Sequence, residues 1–437
     1  MKVTFIANAC AIYESSGFRL VSDPWLTNGA FEGSWCHYPP VRTTPEELAR
    51  LTDALYISHI HPDHFDPVSI APMRKDLPVI VLDHASANFL HKRLRQLGFT
   101  NIVAVRDNEF ATVGSYRLTL FAPFEGHNFF DAKVGNLIDS GLLIDDGVTK
   151  VLNCNDNVPR PGSAAEIARK HGPIDLFQLQ YCAAGPYPSC FMHLGDKDRL
   201  QACDKVRERY LRLFVENVKA VRPRFAMPFA GDFVLGGSQW EKNRFLGTLP
   251  AILAAERLRE ECPEHLAVLL GENMTLDVIT GEVTGGEYPP FQNDAALSYI
   301  ERELAQMPYP HELEHTDAAQ LSDFLTAALP RARDNFGMWQ QLFGYSNDIN
   351  VYLALGDGRL FRFNPAISET EFVDAAATLM QPYLKCTMDP RLLRRILTRD
   401  AHWNNAEGGC HIDFHRVPDV YDPDLHTMLS FLHMEPT

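Results

Sequence analysis

The 437-residue sequence contains no long apolar run, no C-x-x-C motif and no excess of basic residues. The first absence excludes a transmembrane helix, because crossing a bilayer takes roughly 18 or more consecutive, mostly apolar residues. The second leaves nine scattered cysteines, an odd number that is typical of free thiols in a reducing compartment. The third, with 40 basic against 56 acidic side chains, argues against nucleic-acid binding, which depends on neutralising phosphates.

Two further patterns are missing. The first residues lack the layout of a signal peptide, because Val3, Phe5 and Ala7 alternate as in a strand and Glu14 interrupts early. We therefore expect a cytoplasmic protein. The C-x-H and C-x-x-H pair of a Rieske centre is also missing, so we expect that no Rieske cluster is encoded.

Histidine, in contrast, is concentrated in one place. His59, His61, Asp63 and His64 fall within six positions, directly after the apolar run 54–57. Imidazole is the commonest neutral metal ligand, and a neighbouring carboxylate suits a divalent cation. Side chains alternate along a strand end, so His59 and His61 can hold one metal while Asp63 and His64 reach a second. A solvated histidine-rich loop is the alternative, and the local density favours metal binding.

This H-x-H-x-D-H order, between a predicted strand and a predicted helix, resembles the signature of the metallo-β-lactamase-fold superfamily. The resemblance implies the α+β class, specifically an αββα sandwich in which two β-sheets pack face to face between helices. It also implies two divalent metal ions in the cleft at one edge of the sandwich.

The same resemblance suggests where further ligands lie. Asp156, at the end of an apolar strand, matches the family's bridging carboxylate, and we assign catalytic roles to Asp63 and Asp156. In the middle loop, Glu125 and His127 are competing ligand candidates. Asp139 fits a turn or a supporting position better than a ligand position.

The last ligand departs from the pattern of the zinc hydrolases of this fold, which usually end with a histidine after a late strand. The matching segment, 224–233, contains no histidine. Asp232 is the candidate substitute, or the second metal keeps an open position. A set with fewer imidazoles and more carboxylates favours iron, or manganese, over zinc. An open position on iron is where dioxygen would bind.

Several short segments resemble the metal domain of the CMP-N-acetylneuraminate hydroxylases and occur in the same order along the chain. They are residues 23–26, 35–40, 56–59, 152–156, 222–224 and 228–231. The site pattern is also similar to that of the di-iron amino-acid β-hydroxylases of this fold, which have a middle-loop carboxylate and no final histidine. The sialic-acid hydroxylases carry a Rieske domain, which this sequence does not encode.

A Gly- and Pro-rich segment, 281–294, marks the predicted domain boundary. Residues 1–285 are the predicted metal domain, and residues 295–437 form a smaller α+β module whose segment 409–433 resembles SCP2-like domains. In the metal domain, the patterns predict strands at 3–7, 19–22, 54–58, 79–82, 102–105 and 116–121, a hairpin at 142–153, and helices at 86–98 and 196–222.

Four more residues are candidates near the site. We expect Asp23 to orient His59 or His61 from behind. His37 is a substrate or metal contact, or else a surface histidine. Tyr187 lies in a Gly/Pro loop of the kind that forms cleft walls. Asp232 is also a candidate for a supporting or substrate contact. Basic residues along 196–224 either face solvent or clamp an anionic substrate.

Two enzymatic functions remain open. The favoured one is an iron-dependent oxygenase, a hydroxylase that acts on a small polar or anionic metabolite and takes electrons from an external donor. The alternative is a zinc- or manganese-dependent hydrolase, a lactonase or phosphodiesterase, in which the metal lowers the pKa of a bound water. A third hypothesis, a non-enzymatic scaffold, fits the intact motif least.

Overall fold

The computed structural model describes residues 1–84, 89–124, 138–289 and 293–434. Its strands are numbered β1 to β22 and its α-helices α1 to α11, in chain order. The first sheet contains eight strands: β1 (Lys2–Ala7), β2 (Cys10–Ser15), β3 (Phe18–Ser22), β5 (Ala54–Tyr56), β6 (Val79–Leu82), β7 (Ile102–Val105), β16 (Thr275–Asp277) and β17 (Val283–Thr284). Their order is β17-β16-β1-β2-β3-β5-β6-β7.

The second sheet contains seven strands, in the order β15-β13-β12-β11-β10-β9-β8. They are β8 (Phe110–Val113), β9 (Tyr116–Phe121), β10 (Gly141–Asp145), β11 (Lys150–Asn153), β12 (Leu176–Leu179), β13 (Phe225–Pro228) and β15 (Leu266–Ala267). A small ribbon pairs β4 (Trp35–Cys36) with β14 (Val234–Leu235).

Within the described residues, six α-helices accompany these sheets: α1 (Pro45–Arg50), α2 (Pro67–Ile70), α3 (Phe89–Gln96), α4 (Pro161–His171), α5 (Asp196–Val221) and α6 (Ala251–Glu261). A 3₁₀ helix covers Gly237–Phe245. Local sequence explains several helix starts. Thr44 and Glu47 form a capping box at α1, and the Asp66 carboxylate accepts from the Val68 amide at α2.

Three hydrophobic clusters define the layers. One lies between the two sheets and joins side chains such as Tyr13 and Tyr56 of the first to Leu142 of the second. A second packs α1, α2 and α3 on the outer face of the first sheet. A third packs α4, α5 and α6 on the outer face of the second. These layers confirm the predicted α+β class and αββα sandwich.

The carboxy-terminal part is built around a five-stranded sheet in the order β20-β19-β18-β21-β22. Its strands are β18 (Asn350–Ala354), β19 (Arg359–Asn364), β20 (Ile367–Asp374), β21 (Tyr383–Thr387) and β22 (Asp413–Val417). Its helices are α7 (Asn293–Tyr299), which continues into a π-helical turn (Ile300–Leu304), α8 (Ala318–Phe343), α9 (Pro390–Thr398), α10 (Trp403–Gly408) and α11 (Pro423–Leu429). The likeness of this part to SCP2-like domains remains a prediction.

One hydrophobic core crosses the predicted domain boundary. Trp25, Trp35, Phe191 and Phe233 pack in the same cluster as the buried residues of α8 and of the five-stranded sheet. The backbone amide of Phe414 donates to the carbonyl of Cys190 at 2.7 Å. Residues on both sides of the predicted boundary at 285–295 thus contribute to one hydrophobic core, and the boundary itself remains a prediction.

The predicted strands of the metal domain are present, with small differences at their ends. The predicted strand 54–58 ends at Tyr56 because the Ser58 amide donates to the Asp23 carboxylate at 2.7 Å instead of continuing a ladder. The predicted helix 86–98 corresponds to α3, and residues 85–88 lie outside the described residues. No helix within the described ranges combines the length and apolarity that crossing a membrane requires.

Candidate metal centre

The centre lies where parallel strands end. In the first sheet β3 and β5 are parallel neighbours, so Asp23 and the segment from Ser58 onward leave the same edge. In the second sheet β11, β12 and β13 are parallel, and the segments beginning at Cys154, Gln180 and Phe229 leave theirs. Side chains beyond the carboxyl ends of parallel strands converge in such crevices, so both sheets contribute to one site.

The three motif histidines contact one another. His59 Nε2 lies 2.9 Å from His61 Nδ1, and the rings of His59 and His64 have centroids 4.2 Å apart. Ser58 Oγ lies 2.9 Å from His59 Nδ1 and 3.2 Å from His64 Nδ1. One hydroxyl thus fixes two rings, which leaves the Nε2 atoms of both directed away from it.

Asp23 is the support behind His64. Its Oδ2 lies 3.0 Å from His64 Nδ1, its Oδ1 accepts from the Ser58 amide, and it is fully buried. A ligating histidine whose other ring nitrogen donates to a carboxylate is fixed in tautomer and orientation. The sequence predicts that Asp23 supports His59 or His61, whereas the ring that its carboxylate contacts in the structure is that of His64.

Two donor groups form around these rings. His59, His61 and Asp139 present ligand atoms within 4.8 Å of one another, and so do His59, His64 and Asp156. Asp139 Oδ1 lies 3.5 Å from His59 Nε2, and Asp156 Oδ2 lies 3.4 Å from His64 Nε2. Asp63 Oδ2 lies 3.5 Å from the same nitrogen. Asp139, which the sequence assigned to a turn or a supporting position, therefore lies among the candidate ligands.

Burial and mutual proximity shift the proton affinities of the group. Burial, together with the neighbouring His64 and His61, holds the pKa of His59 well below its usual range. Burial raises the pKa of Asp63 to about 6, and the nearby Asp156 carboxylate adds to this effect. Burial also opposes protonation of His64, but the carboxylates of Asp63, Asp156 and Asp23 outweigh it and raise that pKa.

The donor set fits divalent cations. His64 Nε2 is buried and has no partner of hydrogen-bond geometry in the described part of the chain, although two carboxylates lie within 3.5 Å. A cation would stabilise such a ring nitrogen beside two carboxylates, because the nitrogen and the carboxylate oxygens can all coordinate it. Imidazole and carboxylate together suit iron, manganese or zinc.

The other predicted residues lie as follows. Glu125 and His127 are outside the described residues. His37 is buried, not a surface residue, and its ring lies 3.9 Å from that of Trp25 between centroids. Tyr187 is 41% exposed and contacts the ring of Phe191. Asp232 Oδ1 accepts a hydrogen bond of 2.5 Å from the Tyr181 hydroxyl.

A cleft of about 1140 Å³ opens beside this edge of the second sheet, and Asp232 lines it. Its wall is rich in aromatic and basic side chains, namely Tyr38, Phe233, Trp240, Phe245, Tyr288, Arg199, Arg207, Lys242 and Arg244. Gln180 and Tyr181 connect it to the metal residues. Gln180 Nε2 donates to Asp156 Oδ1 at 3.2 Å, and the next residue donates to Asp232.

Two side chains outside the histidine-rich segment contact the centre and were not predicted from the sequence. One is Gln180, and the other is Asn404, whose Nδ2 lies 3.2 Å from His61 Nε2 although 343 residues separate the two. The sequence could have indicated Gln180, since this residue directly follows a buried strand that is parallel to the strand preceding Asp156. It could not have indicated Asn404, because that residue lies in the carboxy-terminal part and reaches the centre only through packing.

No protein-family model matches the chain. A protein of Mycolicibacterium smegmatis, named as a Rieske 2Fe-2S iron–sulfur protein, is 33% identical over 199 residues, which are 44% of this chain and 36% of that protein. The cytidine monophosphate-N-acetylneuraminic acid hydroxylase of Mus musculus is 27% identical over 241 residues, which are 54% of this chain and 39% of the mouse enzyme. The matched regions span less than half the length of these curated relatives.

Among solved structures, a diiron β-hydroxylase from Streptomyces venezuelae is similar at a TM-score of 0.43, with 20% identity, over 63% of this chain and 53% of that one. Similar structures also include metal-dependent hydrolases and a metallo-β-lactamase-fold protein. The resemblance to the sialic-acid hydroxylases, predicted from the motifs, is confirmed by the sequence match over 241 residues. The proteins that the chain resembles include both hydroxylases and hydrolases.

Proposed function

We propose that this chain is a dinuclear-iron oxygenase that hydroxylates a small polar or anionic metabolite. The observation that carries the proposal is the composition of the donor set. Three carboxylates, those of Asp63, Asp139 and Asp156, lie among three imidazoles at the sheet edges. The segment after β13, where the hydrolases of the fold usually place a histidine, has Asp232 instead, and its carboxylate is engaged by Tyr181. Such a set favours iron or manganese over zinc.

When bound, iron supplies the capacity to activate dioxygen, and the protein residues have separate tasks around it. Asp23 and Ser58 fix the ring of His64, so that its Nε2 is presented to the cation. Gln180 restrains Asp156 by donating to Oδ1, which leaves Oδ2 directed toward His64. Asp63 and Asp156 would balance the positive charge of the bound metal, and we assign the catalytic roles to these two carboxylates.

The adjacent cleft supports a small-molecule substrate. Its aromatic walls can hold an extended or ring-containing metabolite, and its basic side chains can hold an anionic group. Tyr181 and Asp232 share a short hydrogen bond at its edge, and burial raises the pKa of Asp232. Asp156 does not line this cleft, and Gln180 and Tyr181 link the two by their hydrogen bonds to Asp156 and Asp232. We propose that an external donor supplies the electrons.

The test is the metal content of protein purified without oxygen from its native host, combined with oxygen consumption in the presence of a chemical reductant. We expect about two irons per chain and reductant-dependent oxygen uptake. Asp156→Ala should lose metal and oxygen uptake together. The matched control is Asp175→Ala, because Asp175 accepts a backbone bond from Lys150 at the opposite end of the same sheet.

Near-stoichiometric zinc, with no oxygen uptake after iron loading, would overturn the oxygenase proposal. If that zinc protein cleaved a lactone or a phosphodiester, the hydrolase alternative would replace it. Full metal occupancy in Asp156→Ala would refute the ligand assignment in either case.

A further inference from the structure

We infer that Asn404, in the carboxy-terminal part of the chain, is a positioning residue of the metal centre and selects the tautomer of His61. The inference rests on the metal site of the proposed function, and it assigns the carboxy-terminal part a share in that site. Its starting point is the contact of 3.2 Å between the Asn404 amide and His61 Nε2.

The two ring nitrogens of His61 face different surroundings. Nδ1 faces the cluster, where it lies 2.9 Å from His59 Nε2, and His61 belongs to the donor group that includes Asp139. Nε2 faces α10 and meets Asn404. A neutral imidazole has its proton on one nitrogen, so a metal at Nδ1 requires the proton at Nε2. The group beyond Nε2 must then accept a hydrogen bond.

A side-chain amide can meet that requirement. Asn404 offers an oxygen and a nitrogen of nearly equal shape at the same place, and with Nδ1 on a metal the amide presents Oδ1 to the proton of Nε2. Holding the outer nitrogen of a ligating histidine in this way fixes its ring and raises its basicity. Asp23 does the same for His64 from the amino-terminal part of the chain.

The helix that carries Asn404 is held firmly in place. At its amino end, the His402 ring caps α10 by accepting a hydrogen bond from the backbone N–H of Asn404. At its carboxyl end, the indole of Trp35 donates to the Gly408 carbonyl at 3.0 Å. Glu407, inside the helix, accepts from the Trp403 indole and contacts His426. The position of Asn404 is thus determined by both halves of the chain.

The approach of α10 is also tight. A β-carbon on Gly409, just after the helix, would lie 2.5 Å from the carbonyl oxygen of Phe31. The same carbonyl lies 3.0 Å from His411 Nε2, and the ring of Phe31 faces that of His61 with centroids 6.0 Å apart. The loop around Phe31 is therefore packed between α10 and the metal residues, so the contact of Asn404 with His61 belongs to a continuous interface.

The test is a Co²⁺ titration of the full-length, chelator-treated chain, followed by the visible absorption of the bound metal and by elemental analysis. For wild type we expect two equivalents of Co²⁺. In Asn404→Ala, the affinity for one equivalent should fall about 10- to 100-fold, the usual effect of losing such an outer partner, with an altered absorption band. Asn404→Asp, which keeps an acceptor of the same shape, should restore both.

The matched control is Asn405→Ala, since Asn405 is the next residue of α10 and its side chain bonds to Glu32, not to a histidine. It should behave as wild type. Wild-type affinity for both equivalents in Asn404→Ala would overturn the inference, and so would an equal loss in Asn405→Ala, which would indicate a general effect on the helix. A wild-type chain that binds no Co²⁺ would instead overturn the proposed function, and with it this inference.

Discussion

At the residue scale, the centre depends on how each imidazole is oriented. His64 offers one nitrogen to the cluster because Asp23 and Ser58 occupy the other. Asp23 adopts a positive φ of 36°, a sparsely populated conformation for a non-glycine residue, and it is fully buried. The contacts of its carboxylate with the Ser58 amide and with His64 Nδ1 stabilise this conformation and so offset the backbone strain.

This arrangement makes Asp23→Asn an informative variant. The amide keeps the shape and can still accept from the Ser58 amide, but its NH₂ group then faces His64 Nδ1. The ring would move its proton to Nε2 and so block the nitrogen that faces Asp156. We expect the affinity for one metal to fall about 10- to 100-fold, with the fold retained, as measured by metal titration and circular dichroism.

Asp53→Asn is the control for this variant, because Asp53 also accepts a backbone amide, from Arg19, but at the other end of β5. It should bind metal as wild type does. Unchanged metal affinity in Asp23→Asn would contradict the tautomer argument.

At the element scale, strand ends and one tight helix approach place the ligands. The parallel pairs β3–β5 and β11–β12 bring Asp23, Ser58 and Asp156 to one crevice, and α10 closes it from the carboxy-terminal part. Close approach of α10 requires a residue without a side chain at Gly409, since the Phe31 carbonyl occupies the space of a β-carbon. Backbone at that distance cannot yield as a flexible side chain would.

We therefore expect Gly409→Ala to lower the free energy of unfolding by about 1–3 kcal/mol, the usual cost of overpacking. The measurement is urea unfolding followed by tryptophan fluorescence. Gly162→Ala is the control, because Gly162 lies in α4 with no atom within 4 Å of an added β-carbon. That change should be neutral or slightly stabilising. Equal stability of the two variants would show that α10 can shift away from the Phe31 loop.

At the scale of the whole molecule, several histidines are buried in the folded protein. Burial lowers the pKa of His37 to about 4 and that of His411 to about 3, against hydrogen bonds to backbone that act in the opposite direction. All nine cysteines, each within the described ranges, are buried free thiols. Because protonation of a buried neutral histidine is unfavourable in the folded protein, acidification should lower the free energy of unfolding.

For His37 the sign follows from proton linkage. The unfolded chain protonates this residue below about pH 6.5, but the folded protein does so only near pH 4. Its stabilising contribution is complete above about pH 6.5 and is lost as the pH falls toward 4. The stability advantage of wild type over His37→Gln should shrink by about 1–3 kcal/mol between pH 7 and pH 4.5.

Urea unfolding of the two chelator-treated proteins across this pH range provides the measurement. Because both proteins share every other titrating group, only the difference between them is interpreted. A difference that stays constant, or that widens toward low pH, would contradict the buried, neutral state of His37.

The sequence by itself determined the local features. The spacing of His59, His61, Asp63 and His64 is written in consecutive positions, and the strands before them follow from apolar runs, so the fold class and four ligand candidates could be predicted. Asp156 was found in the same way, from the strand that precedes it. These features depend on residues that are adjacent in the chain, so the sequence pattern is sufficient to predict them.

Only the tertiary structure decided which residues complete the site. Asp139 looked like a turn residue, yet the packing of the two sheets brings it within 3.5 Å of His59. Asp23 supports His64 across 41 positions, and Asn404 meets His61 across 343. No periodicity predicts such contacts, because they arise from how buried faces pack together once the strands and helices exist. The motif places four candidate ligands in consecutive positions of the chain, and the packing of the fold decides which other residues contact them.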